Sequence, residues 1–194
     1  MIVHSCTTTK LAEEGETAYQ AGNYQAALAQ LEQHINEKEK QLKTVDSSIY
    51  FKAGKAAWEL DKSDKARDYL ESADNTGYTS PELYLLLSQI YNNIDNLTLE
   101  IEALESYHEK FSAGESINKV NNRLFETYVE SEQWAKAEEL WPSLPDQAKS
   151  ELEMKKDWFK VNKKLGNDEK CDKLANQILD KEPENLAALE WNAI

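Results

Sequence analysis

One position returns along the chain at intervals of 39, 34, 37 and 34 residues: Ala27, Ala66, Glu100, Ala137 and Cys171. Each stands just inside a helical stretch entered through a polar turn. The clearest copies are "QAGNYQAALAQLEQHI" from Gln20, "NIDNLTLEIEALESYH" from Asn93, "ESEQWAKAEELWPSL" from Glu130 and "KLGNDEKCDKLANQIL" from Lys164. A degenerate copy, "ELDKSDKARDYLESA", starts at Glu59. A period near 34 residues constrains the fold more than any motif does, because it marks one supersecondary unit written several times. The position is small in four copies, and Glu100 is the weakest match.

Upstream of every turn lies a second helical pattern. Leu11, Gly15 and Ala18 fall on one helix face, as do Tyr50, Gly54 and Ala57, then Tyr84, Ser88 and Tyr91. Leu124, Phe125 and Tyr128 continue the series, and Trp158 and Phe159 close it. Each unit is thus helix, short turn, helix. Small residues let paired helices approach to about 8–10 Å, and aromatic residues fill the gaps between units. No pair can bury its apolar face alone, so stability requires stacking. Composition agrees: only 6 Gly and 4 Pro interrupt a chain rich in Ala, Leu, Glu, Lys and Gln.

From about Thr8 onward the sequence resembles the tetratricopeptide-repeat family, most closely over Gly15–Ile35 with its "GNYQAAL" turn and Leu165–Leu189 with "ILDKEPENLAALEW". It departs from that pattern at Ser63 and Leu97, where the turn aromatic is missing, and at Glu100. The resemblance implies an all-α, right-handed α-solenoid of about five helix-turn-helix repeats plus a final partial helix. Units are expected near residues 10–43, 47–79, 80–112, 118–144 and 149–182, with a partial one at 185–194, after a flexible tether at 1–9. "TSPELYLLL" marks a helix start, with Ser80 as N-cap and Pro81 in the first turn. "WPSLPDQ" marks a break between units.

The resemblance also implies a concave groove lined by the first helix of each pair. Its expected partner-contacting residues are Phe51, Lys52, Lys55, Trp58, Leu85, Gln89 and Asn92, followed by Asn122, Arg123, Lys156, Lys160 and Lys163. Phe51, Trp58 and Leu85 would form an apolar patch, and the lysines with Lys52 and Arg123 a basic strip, a combination suited to an acidic-hydrophobic peptide. The other reading makes the lysines a solvated face and the aromatics gap-fillers. The lysine-asparagine clamp by which some members of the family hold chaperone tails is not reproduced, since Ala12 and Glu16 stand on the corresponding face.

The formal charge of -14 disfavours a nucleic-acid partner. No catalytic, metal-binding or cofactor motif is present: His4, His34 and His108 lie in separate segments, and no Gly-rich phosphate loop, G-x-S-x-G or C-x-x-C occurs. The chain is therefore expected not to be an enzyme and to need no cofactor. Cys171, in the small-residue position, is expected to be an inert core thiol.

Cys6 in "MIVHSCTTTK" has two readings. It is similar to the acylated cysteine of a bacterial lipoprotein, which would need an upstream apolar segment and would place the protein at the cell envelope, held to a membrane only by that anchor. Otherwise it belongs to a disordered N-terminus of a cytoplasmic protein. Near the other end, Pro183–Asn185 repeats the hand-over between units, and Trp191 with Ile194 would form an exposed apolar patch if nothing followed, so the chain is expected to be a fragment or this helix to dock on another surface, a plain short cap being the alternative. The residues fit a non-catalytic scaffold for a protein or peptide partner, in an envelope assembly or secretion complex if Cys6 is acylated. The alternative is a regulatory or substrate-binding module of a larger enzyme or receptor.

Overall fold

A computed structural model of the chain describes residues 3–193, with side chains from residue 9 onward. Among the described residues there are twelve α-helices, one 3-10 turn and no strand. The chain divides into two compact units between Ile94 and Asp95.

The first unit contains α1 (Val3–Gln20), α2 (Tyr24–Lys40), α3 (Ser47–Trp58), α4 (Ser63–Asn75) and α5 (Pro81–Asn93). Helix α1 begins inside the segment expected to be a tether. Each helix packs on the next, and α1 also touches α3, so hairpins lie side by side. The close approach within a hairpin depends on glycine. A Cβ on Gly15 would stand 2.8 Å from Leu31 Cγ, and one on Gly54 would stand 2.7 Å from Leu70 Cγ. Leu31 and Leu70 are themselves fully buried, beside Ala27 and Ala66.

The turns between paired helices share one backbone solution. Gly22 and Asp61 adopt left-handed φ of 72° and 55°. The next amide then reaches back, Asn23 N–H to Ala18 O at 2.9 Å and Lys62 N–H to Ala57 O at 3.0 Å. This six-to-one bond satisfies a carbonyl that the ending helix leaves open. Helix starts are capped by side chains: Asn23 accepts from Ala26 N–H, Asp46 from Ser48 N–H, and Ser80 from Leu83 N–H with Pro81 in the first turn.

The second unit contains α6 (Leu97–Lys110), α7 (Ile117–Glu130), α8 (Trp134–Leu140), a 3-10 turn at Trp141–Ser143, α9 (Asp146–Ser150), α10 (Leu152–Leu165), α11 (Asp168–Leu179) and α12 (Leu186–Asn192). The turn geometry returns at Glu132 (φ 58°) and Gly166 (φ 73°), closed by Gln133 N–H to Tyr128 O and Asn167 N–H to Asn162 O. Where the first unit places Gly15 and Gly54, this one places Phe125, which is fully buried. Space for the ring exists because α8 is short and Pro142 turns the chain into a 3-10 turn. Trp141 then stacks on Trp158 at 4.3 Å with planes 3° apart, and Phe125 lies 5.2 Å from Trp141.

Candidate functional site

The expected contact residues of the first unit lie on α3 and α5, and several are already occupied within the chain. Phe51 is 6% exposed and stacks on Tyr78 at 4.4 Å, so it belongs to the core and not to a surface patch. Lys52 pairs with Glu16 of α1, and Lys55 pairs with Glu82 of α5. The Lys55 ammonium also lies 6.0 Å from the Tyr19 ring centre. Burial pulls the Lys55 pKa down, but Glu82 and Tyr19 outweigh it and hold the amine above its ordinary range. These pairs tie three successive first helices together. Trp58 and Leu85 remain half-buried, while Gln89 and Asn92 are exposed.

In the second unit the expected basic strip is broken up. Lys156 is held by Glu153 at 2.8 Å and Glu182 at 2.7 Å. Lys160 and Lys164 both lie over the Trp134 ring, at 5.3 Å and 5.7 Å from its centre. Lys163 is exposed on the same helix. Arg123 donates from Nε and Nη2 to the two oxygens of Glu100, at 2.7 Å and 3.0 Å. It also reaches Glu126 at 3.5 Å and Glu130 at 3.3 Å. The bonds to Glu100 raise the guanidinium pKa further above its already high value.

Glu100, the poorest match to the small-residue pattern, is thus one half of a buried, fork-to-fork ion pair and is only 2% exposed. A charged residue in a position otherwise reserved for Ala or Cys was the available signal for this pair. Its partner, 23 residues further on, was not marked by any spacing rule.

Asp157 is a second residue that the sequence pattern passed over. It is half-buried on α10, with Glu126, Glu130 and Glu153 as like-charged neighbours and Lys160 as its opposing charge. Burial raises its carboxyl above the ordinary carboxylate range, and Lys160 offsets this only in part. Nearby, Asn122 and Arg123 of α7 line an open recess of about 600 Å³, together with Glu126, Gln147 and Glu151. The Asn122 Oδ1 atom is buried there without a hydrogen-bond donor.

Among the described residues no group of His, Cys, Asp and Glu is placed to hold a metal ion. His108 Nδ1 stands 2.7 Å from Asn121 Oδ1, a bond at the α6–α7 contact. The Cys171 side chain is fully buried, and burial pushes its thiol pKa up. The Cys6 side chain falls outside the described residues, and no described helix is long and apolar enough to cross a membrane. At the far end, Trp191 is not part of an exposed patch. Its indole N–H donates to Asp172 at 2.8 Å and its ring meets Phe159 edge-on at 5.9 Å, because that face of α12 turns toward the preceding hairpin. Ile194 lies outside the described residues. The exposed large apolar residues of α12 are Leu186 and Leu189, at 74% and 43%.

The architecture aligns with solved structures over nearly its whole length. YrrB, described as a TPR protein with an unusual peptide-binding site, superposes with a TM-score of 0.62 over 95% of this chain and 91% of its own, at 14% identity. A MamA structure gives 0.62 over 96% of this chain and 97% of that one, also at 14% identity. A tetratricopeptide repeat protein from Parabacteroides merdae gives 0.56 over 96% and 71%, at 11% identity. The fold is that of the tetratricopeptide repeat. No family model matches the sequence, and no curated protein matches it. In a tetratricopeptide-repeat frame the deviations have structural causes: Glu100 fills its small-residue position with one half of an ion pair, and Phe125 fills a glycine position beside a shortened second helix.

Proposed function

We propose that the protein is a non-catalytic scaffold that binds a segment of a partner protein along the first helices of its repeats. The observation that carries this reading is the fold itself, stacked hairpins whose first helices present side chains to a partner: in the first unit Trp58 and Leu85 are half-buried and Gln89 is exposed, and in the second unit Asn122 lies at a recess. A half-buried indole and isobutyl group bordered by amides suit an extended or helical peptide, with apolar anchors for affinity and amides for orientation. The likeness to YrrB supports the same reading, since that protein has a peptide-binding site.

Photo-crosslinking tests it. A photoreactive residue at Gln89 should capture one discrete partner in cells, and the same residue at Lys65 on the second helix α4 should not. Equal capture from both positions would refute a groove-type site. The envelope-anchored form of the scaffold rests on the "VHSC" stretch before the threonines alone. Labelling of the natural full-length protein with a radioactive fatty acid, abolished by Cys6→Ala, is the result it requires.

A further inference from the structure

We infer that the first unit holds its partner as an extended, uncharged, proline-containing segment laid against Trp58. This deepens the scaffold reading and rests on it, choosing the extended form of ligand over the helical one. Trp58 is the one tryptophan left unengaged among the described residues. Trp191 donates its indole N–H to Asp172, Trp141 stacks on Trp158, and Trp134 lies under Lys160 and Lys164. Trp58 is half-buried on α3, yet it has no ring contact, no cation contact and no hydrogen bond among the described residues. Its setting is fixed by two ion pairs, Lys52 with Glu16 of α1 and Lys55 with Glu82 of α5. One turn beyond Glu16, Lys55 and Glu82 on their own helices stand Tyr19, Trp58 and Leu85. The Lys55 ammonium lies 6.0 Å from the Tyr19 ring centre, and its pair with Glu82 brings Trp58 level with Leu85. Gln89, a further turn along α5, is exposed, and its amide makes no hydrogen bond among the described residues.

Three properties of this face select the ligand. Its cations are taken: Lys10 is held by Glu14, Lys52 by Glu16 and Lys55 by Glu82. Among the described side chains of α1, α3 and α5 none is left for an acidic partner, and Glu13 alone is left for a basic one. Its free donors, the Trp58 indole N–H and the Gln89 amide, call for acceptors. A helical ligand bonds its carbonyls internally except at its C-terminal end, whereas an extended backbone can offer one at every residue. Its rings, Tyr19 and Trp58 near Lys55, present flat apolar surface to a pyrrolidine ring. A proline-containing segment meets all three demands. The polyproline II form has no internal hydrogen bonds, so its carbonyls stay open, and its order before binding reduces the entropy lost.

The experiment titrates short capped peptides into the full chain and follows the indole N–H signals of its five tryptophans by NMR. The Trp58 signal is assigned by its loss in Trp58→Phe. One peptide repeats proline–proline–glutamine; a second has glutamate and a third lysine in place of the glutamine; a fourth is an uncharged helix former of alanine, leucine and glutamine. The uncharged proline peptide should move the Trp58 signal and bind more tightly than the other three. Trp58→Phe keeps a ring but removes the donor, and should weaken that binding roughly fivefold. Trp134→Phe, in the second unit, should leave it unchanged, with circular dichroism confirming that both variants stay folded. A Trp58 signal that the uncharged proline peptide does not move overturns the inference, as does tighter binding of the acidic, basic or helical peptide at that signal. Equal weakening by the two variants overturns it as well. Selective capture of a partner through Gln89 keeps the scaffold reading even where the peptides fail, and equal capture through Gln89 and Lys65 removes both.

Discussion

The buried pair between Glu100 and Arg123 gives the sharpest quantitative expectation. Glu100 is 2% exposed, and both its oxygens accept bonds from a guanidinium that is itself 30% exposed. Arg123→Ala withdraws those two bonds while the carboxylate stays buried. Removing one partner of a buried pair costs about 3–5 kcal/mol, and the partial exposure of Arg123 places this case near 3 kcal/mol. Glu100→Ala is cheaper, about 1–2 kcal/mol. It installs the alanine that this repeat position has at Ala27, Ala66 and Ala137, and Arg123 keeps Glu126, Glu130 and water. The double variant should then be more stable than Arg123→Ala alone, because no buried charge is left behind.

Urea unfolding followed by tryptophan fluorescence reports on this region, since Trp134, Trp141, Trp158 and Trp191 all lie in the second unit. A loss of 3 kcal/mol in a unit of this size lowers its thermal midpoint by roughly 12–24 °C. The reasoning fails if Arg123→Ala costs less than 1 kcal/mol, or if the double variant loses the sum of the two single losses.

Three further expectations follow from local geometry. Gly54→Ala should destabilise the first unit by about 1–3 kcal/mol, because its Cβ would stand 2.7 Å from Leu70 Cγ and 3.1 Å from the Leu70 nitrogen; thermal melts check this, and a neutral result would show that α3 and α4 can separate freely. Glu132→Gly should raise stability by about 0.5 kcal/mol, as relief of a left-handed backbone at φ 58° exceeds the entropy that glycine adds to the unfolded chain. Asp46 caps α3, and the bonds from the Ser48 hydroxyl and amide hold its carboxyl below the usual range. Its stabilising contribution is therefore complete above the unfolded carboxylate pKa and is lost as pH falls through the lower folded value, so Asp46→Asn should flatten the acid limb of a stability–pH curve below about pH 4.

How much of this was legible beforehand follows from the range over which each interaction acts. The helix pairs, the cap at Ser80 and the break at Pro142 and Pro145 were legible because their causes lie within a few residues of one another. Gly22 and Gly166 announce their turns for the same reason, whereas Asp61 and Glu132 adopt that backbone without announcing it. The two prolines mark an interruption of the helix, but nothing near them in sequence marks the 3-10 turn that stacks Trp141 on Trp158. The shape of that turn depends on a ring from α10.

By itself, the sequence determined a series of amphipathic helix pairs with small residues where they meet. A periodic pattern of apolar and small side chains admits no other way to hide that surface. Only the tertiary structure decided which charges remain available to a partner. Lys52 and Lys55 find their carboxylates 36 and 27 residues away, Lys156 finds Glu182 at 26 besides its neighbour Glu153, and Glu100 finds Arg123 at 23. An ion pair depends on distance through space, and stacking brings together helices whose side chains no spacing along the chain relates.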